Sequence, residues 1–93
     1  MGRPLKRKAE TREQAIGAVI TELRLKKKLT GQDVAHKVGC NESHMYEIEM
    51  GKQNPTYKIL QAIADLHGIK LSKLFLMAEK KYEKRSKSSY TRK

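Results

Sequence analysis

His36, Cys40 and His44 come nearest to coordination chemistry, each four positions after the last. On one continuous helix that spacing would stack them on a single face. Gly39 interrupts any such helix between His36 and Cys40, and zinc also needs a fourth ligand or a water in set geometry. The residues are read as surface histidines and a small packed cysteine, with redox sensing by Cys40 the minor alternative. No metal and no cofactor are expected. Met45, Met50 and Met77 read as core or interface side chains rather than ligands. No nucleophile–base pair, glycine-rich phosphate loop or paired carboxylates stand out, so no enzyme and no small-molecule substrate are expected.

One cysteine cannot close an internal disulfide, which fits a reducing cytoplasm. Asn41-Glu42-Ser43 spells a glycosylation acceptor, which matters only on secretion. No apolar run is long enough to span a bilayer, and no signal-peptide pattern opens the sequence. The expectation is a cytoplasmic, nucleoid-associated protein with no membrane partner.

The elements that would hold any functional surface centre on Gly31–Gly51. Thr30 is placed to cap a helix, with Asp33 three residues later as its reciprocal partner. Val34, Ala35 and Val38 mark one apolar face. Gly39 supplies the left-handed residue that ends the helix. Asn41 is placed to cap a second helix whose inward face is Met45 and Ile48. Two short helices about a glycine turn, within ~20 residues, form the pattern of a DNA-binding helix-turn-helix.

Around this unit the periodicity predicts three more helices. The first runs from about Glu13 to Lys28, with Ile16, Val19, Ile20 and Leu23 apolar. Gly17 is read as a close-packing position. Lys52-Gln53-Asn54-Pro55 is a loop by composition. Thr56 caps a helix over roughly Tyr57–His67, ended by Gly68. The last helix spans about Ser72–Arg85 and carries Leu74, Phe75, Met77 and Ala78. The fold class is all-α: a compact five-helix domain over 13–85, with the helix-turn-helix unit at 31–51.

The 93 residues hold 21 Lys+Arg against 10 Asp+Glu, a formal +11. The excess sits at the ends. Residues 1–12 carry five basic and one acidic residue, a net +4; residues 79–93 carry seven and two, a net +5; the middle carries nine and seven, a net +2. Residues 1–12 are read as a flexible basic arm and 86–93 as a basic disordered tail. Basic arms attract polyanions, nucleic acid before membrane here. Gly2-Arg3-Pro4 is similar to the core of an AT-hook, which slides arginine into a narrow minor groove. The other readings of this stretch are a looser arm touching phosphates through Arg3, Lys6, Arg7 and Lys8, or an inert tail.

From Ile16 to Phe75, 60 of 93 positions, the chain resembles the lambda-repressor-like (Cro-type, XRE) helix-turn-helix family. The resemblance is carried by Ile16-Gly17, Ile20, Leu23-Arg24, Leu29-Thr30, Asp33-Val34-Ala35, Val38-Gly39, Met45, Ile48-Glu49, Gly51-Lys52, Asn54-Pro55-Thr56, Ile59-Leu60, Ile63-Ala64, Gly68-Ile69 and Leu71 to Phe75. Order and spacing make it specific, rather than any single motif.

The resemblance implies that the helix from Glu42 to Glu49 enters the major groove. Base readout would fall to Glu42, Ser43, Tyr46 and Glu47. Thr30, Gly31, Gln32, His44, Lys52 and Asn54 would hold phosphates. Arg24 and Glu49 match a pair that often forms an internal salt bridge, a structural role. Cys40 stands where the family has an aliphatic residue. Gly31 stands where the family has a phosphate-holding Gln, and Gln32 is the substitute one position along. Glu42 and Glu47 are acids facing a phosphate-lined groove. Either they accept from cytosine N4 and select cytosine, or they pair with Lys52 or the helix dipole and reach no base. Double-stranded DNA is the expected partner. A homodimer is expected through a small apolar seam of Leu76, Met77 and Tyr82 on the last helix. Repression is the expected output; an antitoxin-like autorepressor and an architectural module without sequence preference are the rivals.

Overall fold

The structure, a computed structural model, describes the backbone of residues 9–90 and the side chains through Tyr82. Arg3, Lys6, Arg7, Lys8 and the Gly2-Arg3-Pro4 segment lie outside the described residues. Five helices follow one another: α1 (Arg12–Lys26), α2 (Gly31–Val38), α3 (Glu42–Met50), α4 (Tyr57–Leu66) and α5 (Leu71–Tyr90). Among the described residues there is no strand, and no helix is long and apolar enough to cross a membrane.

Each of the first four helices starts on a side chain able to accept from the backbone. Thr11, Thr30, Asn41 and Thr56 accept from the N–H groups of Gln14, Asp33, His44 and Ile59 at 2.8–3.1 Å. At α2 the bond is reciprocal: the Thr30 N–H donates to Asp33 Oδ2 at 2.9 Å. Hydrogen bonding from Thr30, its backbone N–H first and its side chain second, holds the Asp33 carboxyl below the ordinary carboxylate range. Each cap satisfies a donor that the first helical turn cannot satisfy itself.

Boundaries with structural consequences differ from expectation at both ends of α1 and at the end of α5. Helix α1 starts at Arg12 because Thr11 caps it, and Ala9 is buried. Residues 9–12, read as arm, therefore belong to the packed domain. The same helix ends at Lys26 rather than Lys28. Lys28 takes a left-handed φ of 60°, and the Leu29 N–H returns to the Arg24 carbonyl at 3.1 Å. This reversal lets Leu29 pack on the core. At the other end α5 runs through Tyr90, past Arg85. Residues 86–90, read as tail, continue the helix because neither Gly nor Pro occurs after Gly68 to stop it.

Helix α1 is central, packing on α5 along one side and on α3 along another. Val19 and Ile20 are fully buried, joined by Val34 of α2, Met45 and Ile48 of α3, Ile63 of α4 and Leu74 of α5. Thr21 is buried among them, and its hydroxyl donates to the Gly17 carbonyl at 2.9 Å. Phe75, assigned from sequence to the apolar face of the last helix, is instead exposed on α5, as is Leu76.

Two contacts fix α3 against α1. A Cβ at Gly17 would stand 2.3 Å from the Glu49 carbonyl oxygen and 2.6 Å from that of Ile48. Only a residue without a side chain allows this approach. Beside it Arg24 Nε and Nη2 donate to the two carboxylate oxygens of Glu49 at 2.8 and 3.0 Å, while Nη1 donates to the Leu29 carbonyl at 3.1 Å. The Arg24 and Glu49 side chains retain 17% and 10% of their exposure. A two-pronged guanidinium–carboxylate pair fixes direction as well as distance.

A polar atom inside this packing is unpartnered: His67 Nε2, at the C-terminal end of α4, is buried without a hydrogen bond among the described residues. Burial, then the charge of Lys27, hold its pKa below the ordinary value.

Gly17→Ala forces α1 and α3 apart and should cost about 1–3 kcal/mol, the range for overpacking, read as a lower urea midpoint. Arg24→Met strands the Glu49 carboxylate and should cost about 3 kcal/mol, with much of that recovered in Arg24→Met/Glu49→Leu. For His67, whose folded-state pKa is depressed, the neutral form is favoured in the native state. Stability should hold above about pH 6.5 and fall as the pH drops below that value toward the folded pKa. His67→Gln should flatten that acid limb in a series of thermal melts.

Candidate nucleic-acid interface

Helix α3 divides its residues between two faces. Met45 and Ile48 are buried, and Glu49 is turned inward onto Arg24. On the opposite side Glu42 and Tyr46 are one helical turn apart, as are Ser43 and Glu47, so the four share one surface. Glu42, Ser43 and Tyr46 are exposed, Tyr46 to 59%, and Glu47 is half-buried. Nine residues make a helix about 13 Å long, enough to cross a major groove about 12 Å wide.

The residues expected to hold phosphates fall at three places around this helix. Thr30, Gly31 and Gln32 form the start of α2, with Thr30 and Gln32 exposed. A Cβ at Gly31 would meet nothing within 4 Å. Its smallness answers no packing need, and it leaves the first turn of α2 open to a ligand. His44 lies in the first turn of α3, half-buried, its backbone N–H held by Asn41. Lys52 and Asn54 are exposed in the loop after α3. The turn between α2 and α3 is made by Gly39 at φ 85°, whose N–H donates to the Ala35 carbonyl at 2.9 Å.

His36 is exposed, whereas Cys40 and His44 are half-buried. Cys40 packs against the core, and desolvation pushes its thiol pKa up. It sits there as a small hydrophobe. Among the described residues no group of three His, Cys, Asp or Glu side chains is arranged to hold a metal ion.

Two partnerships could not be read from the sequence. Glu47 pairs with Gln53 rather than Lys52: Gln53 Nε2 donates to Glu47 Oε1 at 3.0 Å. The signal was the glycine at 51, which folds the chain back on α3, but a loop residue's reach cannot be read from composition. Arg12, counted in the basic arm, pairs with Glu79 at 3.0 Å and stands 4.5 Å from the centroid of the Tyr82 ring. Tyr82 is thereby drawn onto its own domain.

Residues 15–73 match a family model described as a helix-turn-helix domain. An uncharacterized HTH-type transcriptional regulator of Archaeoglobus fulgidus is 33% identical over 67 residues, which is 71% of this chain and 94% of that protein. A second, from Methanocaldococcus jannaschii, is 35% identical over 48 residues, 52% of this chain and 73% of that protein. Among solved structures, the clp gene regulator ClgR of Corynebacterium glutamicum superposes with a TM-score of 0.78 at 17% identity, covering 87% of each chain. A second structure of that regulator gives a TM-score of 0.72 at 18% identity, over 77% of this chain and 92% of that one. That likeness is one of fold. With the family model spanning most of its length and a third of the aligned residues shared with the Archaeoglobus regulator, the chain belongs to the helix-turn-helix domain family.

Proposed function

We propose that the chain is a sequence-specific DNA-binding transcriptional regulator that works as a dimeric repressor. One observation carries the reading: α3 is locked to α1 along one face and leaves Glu42, Ser43, Tyr46 and Glu47 on the other. A helix held this rigidly presents base-reading groups without losing rotational freedom on binding. Thr30, Gly31, Gln32, His44, Lys52 and Asn54 then set its register on the phosphates. Repression needs no surface beyond the one that covers an operator.

The net charge supports a division of labour. The middle of the chain is near neutral and its reading face carries two acids, so attraction to DNA falls mainly to the ends. Helix α3 selects and the arms hold. Because Ala9 is buried and Thr11 caps α1, the deletion that tests this removes residues 1–8 only. It should weaken binding to all duplexes about equally. The slope of log K against log salt should become shallower by about 0.9 for every phosphate that the arm neutralises in the whole chain. Loss of sequence preference at unchanged total affinity would reverse the roles. Selection of random duplexes by the whole chain should return a two-fold symmetric site with half-sites about 34 Å apart. Capture of duplexes without preference would instead favour an architectural module, a rival supported by the acidity of α3.

The dimer rests on α5. Met77 and Tyr82, expected in its seam, are half-buried against the chain's own core. Leu76, 55% exposed, and Phe75, 40% exposed, remain. Beside them a cleft of ≈ 220 Å³ runs between α1 and α5, lined by Ile16, Phe75, Ala78 and Tyr82 together with Arg12 and Glu79. Exposed apolar groups next to an apolar cleft favour self-association. The same observation favours a second reading, an antitoxin-like autorepressor whose α5 surface takes a different protein. Sedimentation at tens of micromolar should show a dimer that Leu76→Glu dissociates. A monomer both with and without the selected duplex would remove the dimer.

A further inference from the structure

The turn after α3 brings Gln53 back onto its own helix. The Gly51 N–H donates to the Ile48 carbonyl at 3.1 Å and the Lys52 N–H to the Glu47 carbonyl at 2.8 Å. Those bonds form the paired closure of a Schellman motif, with Gly51 at φ 80°. The turn is also wedged against α1: a Cβ at Gly51 would stand 2.5 Å from Gln14 Cγ and 2.8 Å from its Cα. From this anchored position Gln53 Nε2 reaches Glu47 Oε1 at 3.0 Å.

A carboxylate only accepts hydrogen bonds, so the contact also orients the amide. The Gln53 nitrogen faces Glu47, and its carbonyl oxygen is turned away. Among the described residues the ion pairs fall on Glu79, Glu49 and Glu22, and Glu47 accepts from Gln53 through Oε1, leaving Oε2 without a partner there. The unit therefore offers two acceptors, Glu47 Oε2 and Gln53 Oε1, at the C-terminal end of the exposed α3 face.

We infer that Gln53 is a positioning residue for base selection, holding Glu47 so that its carboxylate selects cytosine. The inference rests on the reading of α3 as the base-contacting helix. In the major groove guanine shows two acceptors, N7 and O6, and thymine shows O4 and a methyl group. N7, O6 and O4 repel an acceptor, and the methyl group offers it no hydrogen bond. Adenine offers its N6 amino group, but N7 lies beside it and repels the second oxygen. Cytosine offers the N4 amino group with a C5–H beside it on its own ring, and the one neighbouring acceptor, O6 of the paired guanine, lies on the other side. Gln53 contributes in two ways. It holds the Glu47 side chain in one rotamer before DNA arrives, so that ordering is not a cost of binding. Its N–H also draws off part of the negative charge that phosphates would repel.

The test starts with the duplex that the wild-type chain selects from a random pool. Affinities are then measured for the four duplexes that differ at the base pair where Glu47→Ala erases the wild-type preference. Wild type should favour cytosine there. Gln53→Met keeps the length of the side chain and removes both polar atoms. It should reduce the cytosine preference about five- to tenfold while leaving affinity for an unrelated duplex within about twofold. Gln53→Glu, which sets a like charge beside Glu47, should abolish the preference. Glu47→Ala/Gln53→Met should be no less selective than Glu47→Ala alone, since the two act as a unit. Thermal melts near the wild-type value show that each variant is folded. If Glu47→Ala erases a preference that both Gln53 variants keep, or if the base preferred is not cytosine, this inference is overturned while the reading of α3 stands. If Glu47→Ala, Ser43→Ala and Tyr46→Ala all leave every preference intact, the reading of α3 itself fails.

Discussion

The backbone of α1 meets the C-terminal half of α3 with no room for a single methyl group at Gly17. Most else in the domain follows from that contact. A close backbone approach fixes distance but leaves rotation free. The Arg24–Glu49 pair, two-pronged and nearly enclosed, removes the rotation. Met45 and Ile48 are then carried into the core, and the face bearing Glu42, Ser43 and Tyr46 has only one way to point. An exposed surface is thus made rigid from behind, by groups that no ligand touches.

The same pair ties the ends of two elements together. Arg24 holds the Leu29 carbonyl as well as Glu49, so the reversal between α1 and α2, with Lys28 in a left-handed conformation, is braced by the side chain that braces α3. Helix α2 is placed through this link and through its packing on α3 and α4. The start of α2 and the exposed face of α3 are the two surfaces proposed above to meet a duplex, so one arginine sets their relation. Ion pairs within folds are often near neutral for stability; here the geometric consequence outweighs the energetic one.

The far side of α1 is a different environment. Arg12 spans from Glu79 to the Tyr82 ring across the groove toward α5, and Lys81 reaches Glu22 at 3.1 Å. The Arg12–Glu79 pair is more than half exposed and contributes little to stability. Leu74 and Ala78, buried in the core, orient α5 and leave Phe75 and Leu76 facing outward. The domain thus separates an exposed polar face on α3 from exposed apolar groups on α5.

Local chemistry alone was enough to place the helices capped by Thr30, Asn41 and Thr56, the glycine turn at Gly39 and the inward pair Met45 and Ile48. Caps, left-handed glycines and apolar spacing act within a few residues, so their physics is written in adjacent letters. The Arg24–Glu49 pair came from family resemblance rather than from spacing, because nothing local links positions 25 apart. Tertiary packing decided what the letters left open. The fate of Glu47 turned on where an anchored turn delivers Gln53. Phe75, Met77 and Tyr82 were sorted between core and surface by how α5 packs on α1. Residues 9–12 joined the domain because Ala9 had a core to enter. Such outcomes depend on which surfaces meet after the helices have formed, and that is a property of the assembled chain rather than of any one stretch of it.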